Sequence, residues 1–336
     1  MRSLYEKIES LLENVPFEEI CPGFGRCEFG IYDSVHVWLS QGVIPWDNRF
    51  MGNTAIDFEG EYIAIFYVED PQQADAELLA ADLVHEMFHA YQMRSGESRY
   101  PDDFKLLSYP QNAENHRLRF TENQLLAEAY SETGERRGAL LAAFRSLRRQ
   151  RAKGLGDYLE QELMAEHIEG RAEYAGCRAL RAINPHKFEE KMGRYLKALR
   201  VPDQAFLDIR RTAYITGAVY GLACVDSAEE DPLQVELKKC RQRRAGQIEE
   251  FLSQNPVEKK GEYRICGYDP MNMIEYHRRI LCTHFVILQK GQDRLFLNGP
   301  VLLEQKEEGS REVTGYWTLK SDNRENPAAE SGTESA

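Results

Sequence analysis

The sequence predicts an α+β fold with a predominantly helical body, a sheet near the N-terminus and a small β unit near the C-terminus. Two early stretches, 28–39 and 62–68, are rich in β-branched and aromatic residues, which favour strands. Between about residues 79 and 225, apolar residues recur mainly at helical spacing. Beyond Gly261, short strand-like runs return. With 336 residues, 42% of them hydrophobic, the chain can bury a sizeable core.

The N-terminal elements lead into one long helix. Residues 3–14 predict a short amphipathic helix that precedes the two strands. Asp70 can cap the long helix and Pro71 can take its first position, where the N–H that proline lacks would have no partner. Six apolar residues then recur at helical spacing: Leu79, Leu83, Val84, Met87, Phe88 and Tyr91.

Further helices follow a loop expected at residues 101–110. The stretch 121–153 is mostly helical in pattern. A second long helix is expected at about 157–183, because Asn184 and Pro185 stop it. The last expected helices are 203–225, whose glycines favour close packing, and Pro232–Leu252.

The composition excludes several classes of function. A formal net charge of −13 argues against a nucleic-acid partner, which normally requires a basic face. No stretch is long and apolar enough to span a membrane, and charged residues interrupt the apolar ones in Met1–Ile20, unlike in a signal peptide. The seven cysteines are scattered and form no C-x-x-C pair. We therefore expect a cytoplasmic protein with free thiols and no membrane partner.

An H-E-x-x-H motif, formed by His85, Glu86 and His89, lies in the helix that follows Pro71. The two histidines stand four residues apart, so a helix places both rings on one face, where they can reach one zinc ion. Catalytic zinc takes three protein ligands, so another donor is needed. The stretch 169–176, which begins with a glutamate and a glycine, is the best candidate, because small residues would let it approach the motif helix closely.

Four glutamates on the second long helix fall at offsets of 0, 4, 7 and 11, which is one helical face: Glu162, Glu166, Glu169 and Glu173. We expect the first two to form an exposed acidic stripe. A basic cluster on the preceding helix should match this stripe and lie in solvent. Its members are Arg145, Arg148, Arg149, Arg151 and Lys153.

The two motifs together, H-E-M-F-H at 85–89 and E-G-R-A-E-Y at 169–174, resemble those of the gluzincin metallopeptidases, the clan of thermolysin and aminopeptidase N. The resemblance covers roughly residues 60–225 and implies a zincin-like fold, a Zn²⁺ cofactor and hydrolysis of a peptide or protein substrate. It also implies individual roles: His85, His89 and Glu169 would bind the metal, Glu86 would be the general base, Glu173 would hydrogen-bond a ligand histidine, and Tyr214 would stabilise the oxyanion.

Two of these assignments have alternatives in the sequence. Glu169 follows His89 by 80 positions, which exceeds the interval in familiar members, and a helical hairpin inserted over about 115–155 would account for the difference. Glu128 could replace Glu169 as the third ligand, although it lacks the adjoining glycine. Tyr220 is the alternative to Tyr214. Four other histidines are expected to have no metal role: His116, His277, His284 and His167, the last pointing away from Glu169.

The resemblance implies a gluzincin-like catalytic domain over residues 1–227, and the remaining elements predict a C-terminal helix with a small β subdomain over 228–320 and a disordered tail over 321–336. The expected activity is zinc-dependent hydrolysis, with Glu86 acting on a zinc-bound water. The alternative is a non-catalytic module that binds a protein or peptide on the same scaffold. The sequence does not determine the oligomeric state or the choice between endopeptidase and exopeptidase.

Overall fold

The fold is α+β and contains two sheets, as the computed structural model of the chain shows. None of the helices within the described ranges combines the length and apolar character needed to cross a bilayer. The chain divides into two compact units, Met1–Pro101 with Leu106–Glu229, and Asp102–Lys105 with Glu230–Ala336. The structure describes residues 1–202, 204–224, 245–268, 273–307, 310–319 and 326–327.

The α-helices up to residue 224 are α1 (Arg2–Leu12), α2 (Phe17–Ile20), α3 (Ala76–Arg94), α4 (Asp103–Leu107), α5 (Ala113–Ser131), α6 (Gly134–Leu155), α7 (Asp157–Ala165), α8 (Arg171–Ile183), α9 (Pro185–Arg200) and α10 (Ile209–Cys224). A π-helical segment, Glu166–Gly170, joins α7 to α8, and a 3₁₀ turn, Gln204–Leu207, precedes α10. The expected hairpin corresponds to α5 and α6. The expected loop at 101–110 contains α4.

The N-terminus of α3 differs from the prediction. The helix begins five residues after Pro71, and its cap is Asp75, whose side chain accepts hydrogen bonds from the backbone N–H groups of Glu77 and Leu78. Asp70 instead accepts from the N–H of Gln72 in the preceding turn. Both aspartates carry the same local capping signal, and the structure uses the second one to start the helix.

Helix α9 was not predicted, because Asn184 and Pro185 were interpreted only as the end of α8. Asn184 also caps α9, since its side-chain oxygen accepts from the N–H of Lys187 at 3.1 Å. Pro185 then occupies the first position of the new helix, where proline is favoured. The same two residues therefore end one helix and begin the next.

The five-stranded sheet of the first unit leads directly into α3. Its strands are β1 (Phe29–Tyr32), β2 (His36–Leu39), β3 (Gly42–Pro45), β4 (Thr54–Phe58) and β5 (Glu61–Tyr67), in the order β3-β2-β1-β5-β4. Only β1 and β5 pair in parallel, with Phe29 opposite Ala64. One core cluster joins residues of α1, β1, α3 and α8, so the motif helix is packed by apolar residues from both the sheet side and α8.

The second unit is built on an eight-stranded sheet. Helix 245–253 packs Ile248 and Phe251 against its Leu281 and Leu302. Most of the helix expected at Pro232–Leu252 lies outside the described residues, as does all of the expected disordered tail except Asn326–Pro327. The strands are β6 (Val257–Tyr268), β7 (Met273–Tyr276), β8 (Arg279–Cys282), β9 (Phe285–Lys290), β10 (Asp293–Asn298), β11 (Val301–Gln305), β12 (Glu312–Thr318) and β13 (Asn326–Pro327), in the order β13-β10-β9-β6-β12-β11-β8-β7.

Candidate metal centre

Helix α3 presents the two histidines of the motif side by side. The Nε2 atoms of His85 and His89 lie 3.1 Å apart, and the two rings meet edge to face with centroids 4.8 Å apart. Gly176 of α8 allows close packing here, because a Cβ at this position would lie only 2.9 Å from the carbonyl oxygen of Ala81. The backbones of α3 and α8 are therefore almost in contact beside His85.

Glu169 completes a cluster with the histidines. Its Oε2 atom lies 3.7 Å from Nε2 of His85 and 3.3 Å from Nε2 of His89. This oxygen is buried and has no hydrogen-bond partner among the described residues. Ligand atoms at the corners of a tetrahedron around zinc, each roughly 2.0–2.1 Å from the ion, are about 3.3 Å apart. The three atoms therefore have the spacing of a zinc site, and within the described ranges this is the one His/Cys/Asp/Glu group that could hold a metal.

The π-helical segment between α7 and α8 sets the direction of Glu169. A π turn holds one residue more than an α turn, and each residue of an α-helix rotates the chain by about 100°. The four glutamates that an unbroken helix would align are split into two pairs. Glu162 and Glu166 bind arginines of α6, whereas Glu169 and Glu173 contact His85. π-Turns are rare and frequently lie at functional sites.

Because Gly170 follows Glu169 directly, the sequence predicted that it would let this stretch approach α3. Gly170, the last residue of the π segment, instead packs against α10. A Cβ on Gly170 would lie 2.6 Å from Cα of Gly217, and a Cβ on Gly217 would lie equally close to Cα of Gly170. One turn later, Gly221 faces the ring of Tyr174. Close helix packing therefore accounts for the glycines of α10, as predicted.

Each motif histidine has an oxygen atom at its second ring nitrogen. Nδ1 of His85 lies 3.0 Å from Oε2 of Glu173. Nδ1 of His89 lies 2.8 Å from Oε1 of Gln92, whose amide donates to the carbonyl of Ile168 at 3.2 Å. An acceptor at Nδ1 favours the tautomer with its proton there, which leaves the Nε2 lone pair available to a metal.

Helix α9 holds the carboxylate of Glu173 in place. Its Oε1 atom accepts a hydrogen bond from the hydroxyl of Tyr195 at 2.6 Å and lies 2.7 Å from Nζ of Lys191. Burial alone would raise the pKa of Glu173, but the hydrogen bond with His85 and the charge of Lys191 lower it to about 2. Glu173 is therefore a fixed anion that orients His85.

Helix α10 contributes two side chains to the centre. The ring of Tyr214 stacks on that of His85, with centroids 5.5 Å apart and planes inclined by 8°. Arg210, one turn earlier, donates from Nη2 to Oε1 of Glu169 at 2.8 Å. Burial raises the pKa of Tyr214, and the negative charge of Glu169 raises it further. The phenol is therefore protonated and able to donate a hydrogen bond.

The electrostatics of the cluster favour a cation. Burial alone would lower the pKa of His85, but the nearby carboxylates of Glu169 and Glu173 raise it to about 10. Burial alone would raise the pKa of Glu169, but the two histidines hold it well below its usual range. Burial also raises the pKa of Glu86, while the imidazoles of His85 and His89 act in the opposite direction. That direction suits a carboxylate that takes up protons in catalysis.

The two alternatives left open by the sequence lie outside this cluster. Glu128 on α5 is exposed and lies 4.0 Å from Arg136. Tyr220 is buried, and its hydroxyl accepts a hydrogen bond from Nε of Arg145 at 3.1 Å. The structure therefore brings Glu169 and Tyr214 together with the motif histidines.

The other histidines are also outside the cluster. Nε2 of His167 lies 2.7 Å from Oε2 of Glu97, so this ring points away from Glu169, as expected. The ring of His116 lies beside Phe206, with centroids 5.9 Å apart. His277 and His284 belong to the second unit.

The predicted match between the basic cluster on α6 and the first two glutamates is confirmed by their ion pairs, but the prediction that these groups are solvated was wrong for two of the arginines and for both glutamates. Arg148 and Arg151 are 5% and 2% exposed, and Glu162 and Glu166 are 4% and 1% exposed. Pairing explains their burial: Arg151 lies 2.6 Å from Oε2 of Glu162, and Arg148 lies 2.7 Å from Oε2 of Glu166. Periodicity cannot distinguish charges that neutralise each other in a core from charges in water. Arg149 and Lys153 are exposed.

Sequence reasoning missed four residues of the centre: Gln92, Lys191, Tyr195 and Arg210. Gln92 had a local signal, because it follows His89 by three residues and so lies near it on the same helix. The other three come from α9 and α10, and no fixed spacing connects them to the motif.

Comparisons of the chain with protein-family models, with curated proteins and with solved structures found no match. The function must therefore be argued from the side chains of the centre.

Proposed function

We propose that this protein is a metal-dependent hydrolase of peptide bonds and that His85, His89 and Glu169 bind Zn²⁺. The observation that carries the proposal is the buried Oε2 atom of Glu169, which lies 3.3 and 3.7 Å from the two Nε2 atoms and has no hydrogen-bond partner among the described residues. An unpartnered buried carboxylate oxygen is costly. A metal ion shared by the three atoms would remove that cost.

The donor set supports zinc in particular. Two imidazole nitrogens and one carboxylate oxygen form a three-ligand set of the kind found in catalytic zinc sites. Imidazole suits zinc better than it suits magnesium or calcium, which prefer oxygen ligands. When bound, zinc would supply a Lewis acid for the substrate carbonyl and would lower the pKa of water.

The chain's own residues would have distinct tasks in hydrolysis. Glu86, adjacent to His85 on α3, accepts a proton from the attacking water and passes it to the leaving amine. Tyr214, stacked on His85, donates its hydroxyl hydrogen bond to the developing oxyanion. Glu173 and Gln92 keep the two imidazoles oriented.

A zincin-like scaffold forms part of the proposal. It is supported by the path from β5 into the motif helix α3 and by the close packing of α3 on α8, the helix that follows Glu169. The paired motifs and their resemblance to gluzincins favour peptide bonds over other acyl substrates.

Zinc content and cleavage of a peptide library test the proposal. We expect the purified protein to bind one equivalent of zinc by elemental analysis and to cleave peptides detected by mass spectrometry. Glu86→Gln should keep the zinc and lose about 10²–10⁴-fold in cleavage rate, because it removes the base and not a ligand. Glu128→Gln, an exposed glutamate of α5, is the matched control and should keep both properties.

Two outcomes would contradict the proposal in different ways. A protein that binds no zinc, even after incubation with the ion, would exclude the metal site. A zinc-loaded protein that cleaves no member of a broad library would exclude the peptidase activity and favour the non-catalytic binding module.

A further inference from the structure

Six charged side chains form a buried network beside the π segment. Such a network usually adds little stability compared with well-packed apolar residues, because removing the charges from water is costly. Its position indicates another role, since one of its carboxylates is the first residue of the π segment. The members are Arg119, Arg148 and Arg151, with Glu122, Glu162 and Glu166.

The carboxylate of Glu166 connects three elements of the first unit. Arg148 of α6 donates to both of its oxygens, at 2.7 and 2.8 Å. Thr216 of α10 donates its hydroxyl to Oε1 at 2.6 Å. We call these three residues, Arg148, Glu166 and Thr216, the Glu166 cluster. All three side chains are buried, so these contacts exclude water.

A second contact on α10 holds the other end of the π segment. Gly217, the residue after Thr216, packs its Cα against Gly170 so closely that a Cβ on either would lie 2.6 Å from the other Cα. The first and last residues of the π segment are therefore both fixed to α10. Glu169 lies between them, and Arg210 of the same helix holds its Oε1 atom.

We infer that the Glu166 cluster is a positioning device that keeps the π turn in register and so aims Glu169 at the two histidines. This inference rests on the proposed function, because it concerns the third ligand of the proposed zinc site. If the segment relaxed to an α-helix, its last residues and those after it would rotate by up to about 100° relative to those before it. Glu169 would then lose its position beside His85 and His89.

The hydroxyl of Thr216 should therefore affect metal binding, although it acts only through Glu166. Thr216→Val removes this donor with little change in size, while both bonds from Arg148 to Glu166 remain possible. The variant should therefore fold. Thr212→Val is the matched control, because Thr212 lies one turn earlier on α10 and accepts a hydrogen bond from Arg119 of the same network, without a hydrogen bond to the π segment.

Zinc affinity, measured by competition with a chelator, tests the inference. We expect Thr216→Val to raise the zinc dissociation constant about tenfold, the lower end of the effect of removing an outer-shell partner. Thr212→Val should change it by less than about twofold. Both variants lose a hydrogen bond in the network, so a purely structural role would affect the two alike. The absorption spectrum of bound Co²⁺ should also change in Thr216→Val alone, because it depends on ligand geometry.

Equal zinc affinities and unchanged Co²⁺ spectra in the two variants would overturn the inference and leave the proposed function intact. A wild-type protein that binds neither ion would instead refute the proposed function itself. The two failures are therefore distinguishable in one set of titrations.

Discussion

Two buried groups of charged side chains meet at the π segment, and they differ in what their carboxylates bind. In the first group, Glu162 of α7 and Glu166, the first residue of the segment, meet arginines that neutralise them. In the second group, Glu169 near the end of the segment and Glu173 of α8 meet the motif histidines, and one oxygen of Glu169 has no hydrogen-bond partner within the described ranges. In the first group the carboxylates pair with arginines, whereas in the second a carboxylate oxygen and two imidazole nitrogens form a group that could hold a metal ion.

An unpartnered oxygen alone does not distinguish the two groups, because Oε1 of Glu122 in the first group also lacks a partner among the described residues. The difference lies in protonation. Burial raises the pKa of Glu122 to about 7, even though Arg151 lowers it, so a proton can neutralise this carboxyl. The histidines hold the pKa of Glu169 well below its usual range, so it remains an anion. A buried carboxylate that stays charged beside two imidazoles is the stronger sign of a metal site.

The largest expected effect is on stability, in the first group, where arginines pair with the carboxylates. Arg151→Met would leave the carboxylates of Glu162 and Glu122 buried without their shared cation, which typically costs about 3–5 kcal/mol. Arg149→Met, an exposed arginine on the same helix, should change the free energy of unfolding by about 0.5 kcal/mol or less. Urea-induced unfolding of both variants measures the difference. Equal stabilities would show that the network does not hold the first unit together.

In the second group, around Glu169, substitution should change the affinity for zinc. Glu169→Gln removes a ligand charge, so we expect zinc affinity to fall by more than the roughly 10–100-fold that an outer-shell partner contributes. Glu128→Gln should leave the affinity unchanged, since Glu128 is exposed on α5. Isothermal titration with zinc compares the two variants. The opposite result would assign the third ligand to Glu128 and remove the contrast between the two groups.

A smaller effect is expected at Glu173, which touches His85 and not the proposed metal position. Glu173→Gln should weaken zinc binding by about 10–100-fold, because an amide orients an imidazole less strongly than a carboxylate does. Glu190→Gln on α9 is the control, since that glutamate is exposed. Titration with zinc measures both. An unchanged affinity in Glu173→Gln would mean that the carboxylate serves folding and not the ligand.

The parts that could be predicted from the sequence are those with short-range signals. The spacing of His85 and His89 requires only a helix, and the apolar pattern of α3 supplied one. The strands β1 and β5 and the helical character of α5 and α6 followed from the same kind of pattern, whereas the hairpin was inferred from the long interval between the two motifs. Glu169 was selected because of the glycine beside it, although that glycine packs against a different helix from the one expected.

The remaining features depend on contacts that no local pattern encodes. The π segment has no recognised signal in its residues, and periodicity therefore placed four glutamates on a single face. The burial of Arg148 and Arg151 depends on their partners on other elements, so a charged pattern was interpreted as solvated. Lys191 and Arg210 reach the centre from α9 and α10, and only the packing of these helices brings them there.

The hairpin of α5 and α6 lies in the chain between the motif histidines of α3 and Glu169. From this position alone, it could be taken for a dispensable insertion. Its second helix, α6, nevertheless supplies the guanidinium groups that neutralise Glu162 and Glu166. Deleting residues 113–155 would leave the carboxylates of Glu162 and Glu166 buried without their arginine partners. Any minimal version of this protein must therefore retain the hairpin as an integral part of the scaffold.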